Sequence, residues 1–290
     1  MFLIKKIKTS LRPVHLRNEA RREVIAELRA EGNATLSAIA SALEDVMNRT
    51  CNSAEAAWID KIEKVREELH SSQETITIDD HGAGSHWSSF FQMGDTNVRS
   101  TMRTVGSVCR DSSKSKRWHA FLFALVRRFR PAKCLELGTA LGMSAAYQGA
   151  ALALNNKGHI LTLEGAPSLA SIARKIFIQL GLGNIEVVGG RFQDTLQNIA
   201  EKNGPFDFVF IDGHHEEQAT QEYYDLLVPY LAEGALLIFD DIAWSAGMVR
   251  AWSALRQAEH LTASVDICGM GLCVHTTQHD GRRRQFDTVL

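Results

Sequence analysis

Four short apolar runs after residue 131 each end in or are followed by acidic residues. The acidic positions are Glu136, Glu164, Asp212 and the pair Asp240-Asp241. The end of a strand more often carries a turn-forming residue, so acidic residues at four such ends are unusual. Carboxylates placed there can accept hydrogen bonds from hydroxyl groups, hold a cation or take part in proton transfer. The spacing therefore predicts a ligand site that several strand ends share.

The first of these runs opens into a turn that contains two glycines. In "CLELGTALGMSAAYQGAALAL" Gly138 and Gly142 precede an alanine-rich helical pattern. The turn lacks the GxGxxG spacing, whose second glycine lets the backbone approach a pyrophosphate. Taken alone, the two glycines are equally consistent with tight helix packing. Together with Glu164, whose carboxylate can accept hydrogen bonds from both ribose hydroxyls, they favour an adenosine-containing ligand without a diphosphate.

The pattern around these residues predicts the elements that must position them. After Pro131 apolar runs alternate with segments of helical period, as in a sheet covered by helices on both faces. Strands are predicted at 133–137, 159–164, 184–188, 206–212, 235–240, 262–267 and 271–275, and helices at about 142–154, 167–181, 192–202, 215–232 and 245–258. This order predicts an α/β fold with a doubly wound, seven-stranded, mostly parallel sheet and one antiparallel strand near its end. Ligands bind such sheets at the carboxyl ends of the strands.

The first part of the chain shows helical periodicity without strands. Three amphipathic helices are predicted between Arg17 and His70, and such helices pack on a neighbouring domain or on a second copy of the chain. Residues 71–116 lose this periodicity and include "DDHGAGSHWSSFFQMGD", which is typical of a lid over a binding site or of a surface linker. The chain then divides into a helical cap or dimerisation region with its loop (1–112), a ligand-binding domain (113–276) and a polar tail (277–290).

Composition excludes several classes of partner. Basic and acidic residues nearly balance, 32 against 34, so no overall field attracts nucleic acid or acidic lipid. No apolar run approaches the ~18 residues of a membrane span, and lysines interrupt the apolar start before a signal peptide of ordinary length could form. The cysteines form no CxxC pair, as expected for reduced thiols in a cytosol. We therefore expect a cytoplasmic protein with a small-molecule partner, no nucleic acid, no stable membrane insertion and, from its N-terminal helices, a homodimer.

Four motifs occur in a recognisable order: "LELGTALGMSA", "ILTLEGAPSLASIARKIFIQLGLGNIEVVGGRFQDTL", "FDFVFIDGHH" and "GALLIFDDIAWS". In this order they resemble class I S-adenosylmethionine-dependent methyltransferases, especially the group related to catechol and caffeoyl-CoA O-methyltransferases. The resemblance covers about residues 115–276 and leaves the first hundred residues outside it. It implies a Rossmann-like methyltransferase fold, S-adenosylmethionine as the cofactor and methyl transfer to an oxygen of a small molecule.

The resemblance also implies roles for single residues. The turn from Glu136 to Ser144 would hold the methionine part of the cofactor, and Glu164 would bind its ribose. Phe192 would border the adenine, and Asp212 would lie beneath the sulfonium. The cofactor-binding candidates are then Glu136, Gly138, Thr139, Gly142, Ser144, Glu164, Gly165, Phe192 and Asp212.

In metal-dependent relatives, acidic residues after the fourth and fifth strands hold a divalent cation that lowers the pKa of the acceptor hydroxyl. The matching positions are Asp212, Asp240 and Asp241, and oxygen ligands suit magnesium or manganese. The relatives often carry asparagine at the last position, so Asp241 makes this site more anionic. Asp240 and Asp241 can share a cation only if the chain has already left the strand, because adjacent strand residues point to opposite faces. Otherwise Asp241 would cap the next turn or helix.

His215 follows Asp212 by three residues, where the metal-dependent relatives carry a lysine thought to act as a base. A histidine ordinarily titrates near neutral pH and can accept the proton of a hydroxyl group. We therefore take His215 and Asp212 as the catalytic candidates. The alternative for His215 is a solvent-exposed position at the start of a helix, and Trp244 would either line the acceptor pocket or anchor a neighbouring element.

The sequence thus predicts an S-adenosylmethionine-dependent methyltransferase whose N-terminal region covers the acceptor site. Two alternatives stay open. One is an NAD-type oxidoreductase of similar architecture, which the missing GxGxxG spacing disfavours. The other is a non-methylating or scaffold relative, because sheets of this type also serve hydroxylases and scaffolds.

Overall fold

Residues 14–80, 99–278, 281 and 283–290 are described by the computed structural model of the chain. The segment "HGAGSHWSSFF", for which a lid is one of two interpretations, lies outside these residues, so its place near the acceptor stays a prediction. None of the helices within the described ranges is long and apolar enough to cross a membrane.

Three helices form the N-terminal region, as the sequence predicts: α1 (Val14–Ala30), α2 (Ala34–Asn48) and α3 (Ser53–Ser71). Two asparagines set where the second and third helices begin. Asn33 accepts a hydrogen bond from the backbone N–H of Leu36, and Asn52 forms a capping box with Glu55. These bonds satisfy N–H groups that have no partner inside the helix.

The segment interpreted as a lid or linker has regular structure at both ends. β1 (Thr75–Asp80) pairs antiparallel with β2 (Arg99–Thr104). α4 (Val105–Ser112) follows directly, and α5 (Lys116–Phe129) begins after residues 113–115. Periodicity does not predict the two-stranded ribbon, because its strands are short and largely polar.

The α/β domain alternates strands and helices in the predicted order. Its strands are β3 (Lys133–Leu137), β4 (His159–Glu164), β5 (Ile185–Gly189), β6 (Phe206–Ile211), β7 (Leu231–Phe239), β8 (Leu261–Asp266), β9 (Gly271–His275) and β10 (Arg284–Asp287). Its helices are α6 (Met143–Asn155), α7 (Pro167–Leu180), α8 (Phe192–Asn203), α9 (Glu217–Leu227) and α10 (Ala246–Leu255). The helix expected at 215–232 is shorter than predicted, because Pro229 lies in a 3-10 turn that leads into β7.

These strands form one sheet in the order β10-β8-β9-β7-β6-β3-β4-β5. Neighbours are parallel except where β9 runs antiparallel to β7 and β8, so the predicted doubly wound sheet with one late antiparallel strand is confirmed. The eighth strand is a correction. Residues 284–287 belong to the segment interpreted as a polar tail, yet they pair with β8. Phe286 in this strand and Val289 just after it are buried. A strand of four residues carries too few apolar side chains to stand out in a sequence.

The N-terminal helices are docked on the α/β domain. Buried side chains of α1, α2 and α3 share one apolar cluster with those of α5 and α6, and Leu28, Ile39 and Ile62 are fully buried in it. Tyr147 of α6 donates a buried hydrogen bond of 2.7 Å to Glu63 of α3. The apolar faces that suggested a cap or a dimer are thus covered within the chain, and the homodimer stays a prediction.

Substitution of Tyr147 measures how much this buried contact stabilises the docked helices. We expect Tyr147→Phe to lower the free energy of unfolding by about 1–3 kcal/mol, because Glu63 stays buried and loses a hydrogen-bond donor. Chemical denaturation gives this value. Tyr230→Phe is the matched control, since its hydroxyl only accepts an exposed hydrogen bond from Gln197, and we expect a change below about 0.5 kcal/mol. Equal losses in the two variants would contradict a special role for Tyr147.

Candidate active site

The site is organised around β3, which lies between β4 and β6 in the sheet. Gly138, directly after β3, has a φ of 106°, and a Cβ there would lie 1.9 Å from the carbonyl oxygen of Asp212. Only glycine fits this position. The N–H groups of Gly138 and Thr139 donate to the carbonyl oxygen of Leu163 in β4. The turn is therefore fixed against both neighbouring strands.

The second glycine of the turn serves helix packing. Gly142 has a φ of 82° and is the N-cap of α6. A Cβ there would lie 2.7 Å from the ring of Phe177 in α7. The packing interpretation therefore holds for Gly142, and the role of the turn in binding a ligand stays a prediction.

Glu136 is fully buried below the turn and does not line the cleft, and its role in cofactor binding stays a prediction. Its carboxylate accepts hydrogen bonds from Gln148 (2.9 Å) and Thr162 (2.5 Å). Burial raises the pKa of Glu136 to about 7, against the lowering effect of hydrogen bonds from Ser144, Thr162 and Gln148. The side chain thus ties β3 to β4 and α6 and holds the turn from below.

Glu164 and Phe192 border the turn at the ends of β4 and the start of α8. The carboxylate of Glu164 accepts the N–H groups of Ala140 (2.7 Å) and Ala166 (2.8 Å) on either side of Gly165 and the turn. These two hydrogen bonds hold the carboxylate beside the turn. The Phe192 ring packs edge-on against Tyr223, with centroids 5.8 Å apart.

An open cleft of about 530 Å³ lies beside the turn, within the usual range for small-molecule sites of about 300–1,000 Å³. The predicted residues on its wall are Gly138, Thr139, Ser144, Asp212, His215 and Asp241, together with Trp244. The predicted residues that do not line it are Glu136, Gly142, Glu164, Gly165, Phe192 and Asp240. The structure therefore brings about half of the predicted set to one cavity and puts the rest behind or beside it.

Another part of the wall comes from the chain before β3, and its individual residues were not predicted. It includes Arg103 of β2, Lys114 and, in α5, Trp118 and His119. His119 is buried, stacks on Tyr147 with ring centroids 5.0 Å apart, and has a pKa that burial lowers to about 4. Nothing in "SSKSKRW" indicates that Lys114 rather than Lys116 reaches the cleft, because only the docking of the N-terminal region brings Lys114 there.

Lys114 lies between the two carboxylates that follow β7. Its ammonium donates a hydrogen bond of 2.6 Å to Asp241 Oδ1 and lies 3.1 Å from Asp240 Oδ2. β7 ends at Phe239, and Asp241 has a φ of 51°, so the chain has left the strand here. The two carboxylates can therefore share one cation, as the sequence analysis required. Asp241 does not cap the next helix, whose N-cap is Ser245.

The pKa shifts of this group have one physical origin. Burial raises the pKa of Asp212 to about 7, and Lys114 opposes that rise. Burial and the neighbouring Asp212 also hold the pKa of Asp240 well above its ordinary range. Burial lowers the pKa of Lys114, but Asp240 and Asp241 raise it more, so the net shift is upward. The lysine is thus charged over the whole range in which proteins work.

The residues predicted to hold a divalent cation do not fit one in this arrangement. Such ions lie about 2.0–2.6 Å from their oxygen ligands, and Nζ of Lys114 already occupies the space between Asp240 and Asp241 on the cleft side. Within the described ranges, no group of three or more His, Cys, Asp or Glu side chains is arranged to hold a metal ion. The magnesium or manganese site stays a prediction that the geometry disfavours.

His215 faces the same carboxylates from the start of α9. Its Nε2 lies 3.7 Å from Asp212 Oδ1 and 3.9 Å from Asp241 Oδ2, and its ring centroid is 6.3 Å from that of Trp244. It lines the cleft and is partly buried. An imidazole held between carboxylates at a cavity wall can accept a proton from a ligand there.

Comparison with known proteins shows what this architecture is similar to. Residues 135–242 match the family described as a methyltransferase domain. Catechol O-methyltransferase of Mycobacterium tuberculosis is 32% identical over 130 residues, 44% of this chain and 56% of the relative. Catechol O-methyltransferase of Niastella koreensis is 32% identical over 124 residues, 42% of this chain and 54% of the relative. Residues 135–242 are therefore similar to a methyltransferase domain, and this part of the chain resembles the catechol O-methyltransferases, as the sequence motifs suggested.

The fold itself has a solved counterpart in the O-methyltransferase of Bacillus cereus in complex with S-adenosylhomocysteine. That structure has a TM-score of 0.50 and 24% sequence identity, and the match covers 57% of this chain and 83% of the other. The chain spans little more than half the length of the two catechol O-methyltransferases. This likeness shows the fold alone.

The buried carboxyl of Glu136 predicts a pH dependence of stability. Its folded-state pKa of about 7 exceeds the ordinary value of 4.5, so the unfolded chain loses this proton first and stability falls as pH rises between these values. Each unit of pKa difference is worth about 1.4 kcal/mol, which makes a fall of roughly 3 kcal/mol. We expect Glu136→Gln to remove this fall from unfolding free energies measured between pH 4.5 and 8. Parallel curves for the two proteins would contradict the raised pKa.

Proposed function

We propose that the protein transfers a methyl group from S-adenosylmethionine to an oxygen of a small-molecule acceptor. The observation that carries this proposal is the open cleft where the Gly138 turn meets Asp212, with Glu164 beside it and His215 on its wall. Its likeness to catechol O-methyltransferases makes a phenolic hydroxyl the acceptor to test first. When bound, the cofactor supplies a methyl group on a sulfonium, which leaves as the carbon–sulfur bond breaks.

The residues on the cofactor side of the cleft fit S-adenosylmethionine, the cofactor that the resemblance implies. The turn after β3 presents backbone next to Ser144 on the cleft wall, and the carboxylate of Glu164 lies beside this turn, where it would meet the ribose hydroxyls. Phe192 and Gly190 stand at the start of α8, where they would border the adenine. These residues bind and orient; the chemistry takes place at the other end of the cleft.

On the acceptor side, His215 would take the hydroxyl proton and the N-terminal region would exclude water. Trp118, Trp244 and Met270 give this part of the cleft apolar walls, as expected where an aromatic acceptor is held. Residues 1–112 would act as a cap that supplies part of this wall. A homodimer and a cytoplasmic location complete the proposal and rest on the sequence alone.

The first test of this function is the affinity of the protein for S-adenosylhomocysteine, measured by calorimetry. We expect binding by the wild type, and an affinity lower by about 1–3 kcal/mol in Glu164→Gln through loss of charge-assisted hydrogen bonds to the ribose. A 2′-deoxy analogue should bind more weakly than the parent compound to the wild type and equally to the variant. Glu186→Gln, on an exposed position of the neighbouring strand, is the matched control.

Two results of that experiment would count against the proposal in different ways. Absence of binding by the wild type would remove the cofactor and with it the methyltransferase assignment, and stabilisation by NAD would favour an oxidoreductase. Normal binding by Glu164→Gln would retain the cofactor and remove Glu164 from its ribose site.

The second test concerns proton removal by His215. With labelled methyl donor and an accepted phenol, we expect His215→Gln to lower kcat by about 100-fold while leaving the affinity for S-adenosylhomocysteine unchanged, since general bases contribute on this order. His159→Gln, exposed at the opposite end of β4, is the control and should retain full activity. Full activity of His215→Gln would show that orientation of the acceptor suffices without this base.

A further inference from the structure

The carboxylates at the ends of β6 and β7 require a positive charge among them. Asp240 is 2% exposed, and Asp212 and Asp241 lie beside it. His215 lies within 3.9 Å of both Asp212 and Asp241. Within the described part of the chain, Oδ2 of Asp240 has no hydrogen-bond donor of good geometry. Its charged neighbour is the ammonium of Lys114 at 3.1 Å.

The ammonium stands where a divalent cation would stand. Its nitrogen lies 2.6 Å from an oxygen of Asp241 and 3.1 Å from an oxygen of Asp240, whereas metal–oxygen bonds measure about 2.0–2.6 Å. An ion bound to these two oxygens from the side of the cleft would overlap Nζ. Lysine and metal are therefore alternatives at this position.

The geometry also leaves the lysine able to act on a ligand. An ammonium has three N–H groups; one is donated to Asp241, and a second direction faces Asp240. Lys114 lines the cleft itself. The third N–H is used by neither of these two carboxylates, and His215 lines the same cleft.

We propose that Lys114 takes the role of the divalent cation, holding the acceptor oxygen and stabilising its negative charge, so that the reaction needs no metal. The inference rests on the proposed function of the same site. The hydroxyl proton passes to Nε2 of His215, and the oxygen held by Lys114 uses a lone pair to form the bond to the methyl carbon. The electron pair of the broken carbon–sulfur bond stays on sulfur, so charge and atoms balance without a further reactant.

Binding of Mn²⁺ alone to the full chain tests the exclusion of metal without any reaction. By calorimetry or by the electron paramagnetic resonance signal of free Mn²⁺, the wild type is expected to show no saturable site. Lys114→Met should gain one saturable site, with an affinity at least about tenfold above any weak binding by the wild type. The reason is that the substitution uncovers the carboxylates. A stoichiometric site in the wild type that Asp240→Asn abolishes would overturn the proposal.

Turnover tests the catalytic part. In the presence of a chelator the wild type is expected to keep full activity, and Lys114→Met should lose about 100-fold in kcat with unchanged affinity for S-adenosylhomocysteine, the order of effect of one preorganised charge. Lys116→Met is the matched control, because this exposed lysine only pairs with Asp60 at 3.9 Å. Activity that disappears with chelator and returns with magnesium, or an active Lys114→Met, would overturn the proposal.

Lys114→Arg and the Mn²⁺ measurements keep the result clear if Lys114→Met or the activity assay fails. If Lys114→Met does not fold, Lys114→Arg retains the charge and should exclude Mn²⁺ and keep reduced activity in chelator; Mn²⁺ binding by this variant would overturn the proposal. If the wild type neither binds the cofactor product nor turns over, the methyltransferase assignment fails, while the Mn²⁺ measurements still decide whether Lys114 fills a cation site.

Discussion

Three carboxylates, one buried and two partly exposed, gather at one edge of the sheet, and they can stay charged together there only with a compensating cation. This constraint governs the site. Parallel strands bring their carboxyl ends to a single edge, so Asp212 after β6 and Asp240 with Asp241 after β7 must meet. Removing such ions from water costs several kcal/mol each unless a cation lies close to them. Here Lys114 supplies that charge, and it belongs to the segment between α4 and α5. The electrostatics of the cleft therefore depend on how the N-terminal region docks.

The docking itself is specified by polar contacts as well as by apolar burial. Arg127 of α5 bonds to Glu55 of α3 at 2.9 Å, and Tyr147 bonds to Glu63 in the same interface. Apolar packing alone tolerates small rotations of a helix, whereas directional hydrogen bonds do not. Because α5 starts two residues after Lys114, contacts that orient α5 also place the ammonium. A substitution far from the cleft in this interface can thus alter the chemistry by moving one nitrogen atom.

The limits of sequence reasoning follow from which interactions are local. β3 to β9 were predictable because each is an apolar run and helices separate all but the last two, and the candidate site followed because strand ends converge by topology. The edge strand β10 is too short to be recognised. The burial of Glu136 depends on Gln148 and Thr162 in two other elements, so its type and position could not show whether it faces a ligand or the interior. Lys114 has no local signature at all, since its partner carboxylates lie more than a hundred residues away.

Replacing a metal by an ammonium changes what the cleft can select. A divalent cation binds two neighbouring oxygens of one acceptor at once, because it accepts six or more ligands. An ammonium with one remaining N–H holds a single oxygen. With Lys114 in this role, recognition of the acceptor passes to the apolar walls around Trp118 and Trp244 and to His215, which must meet the same oxygen. Selectivity would then follow the shape of the acceptor and the position of one hydroxyl group, without any need for two adjacent ones.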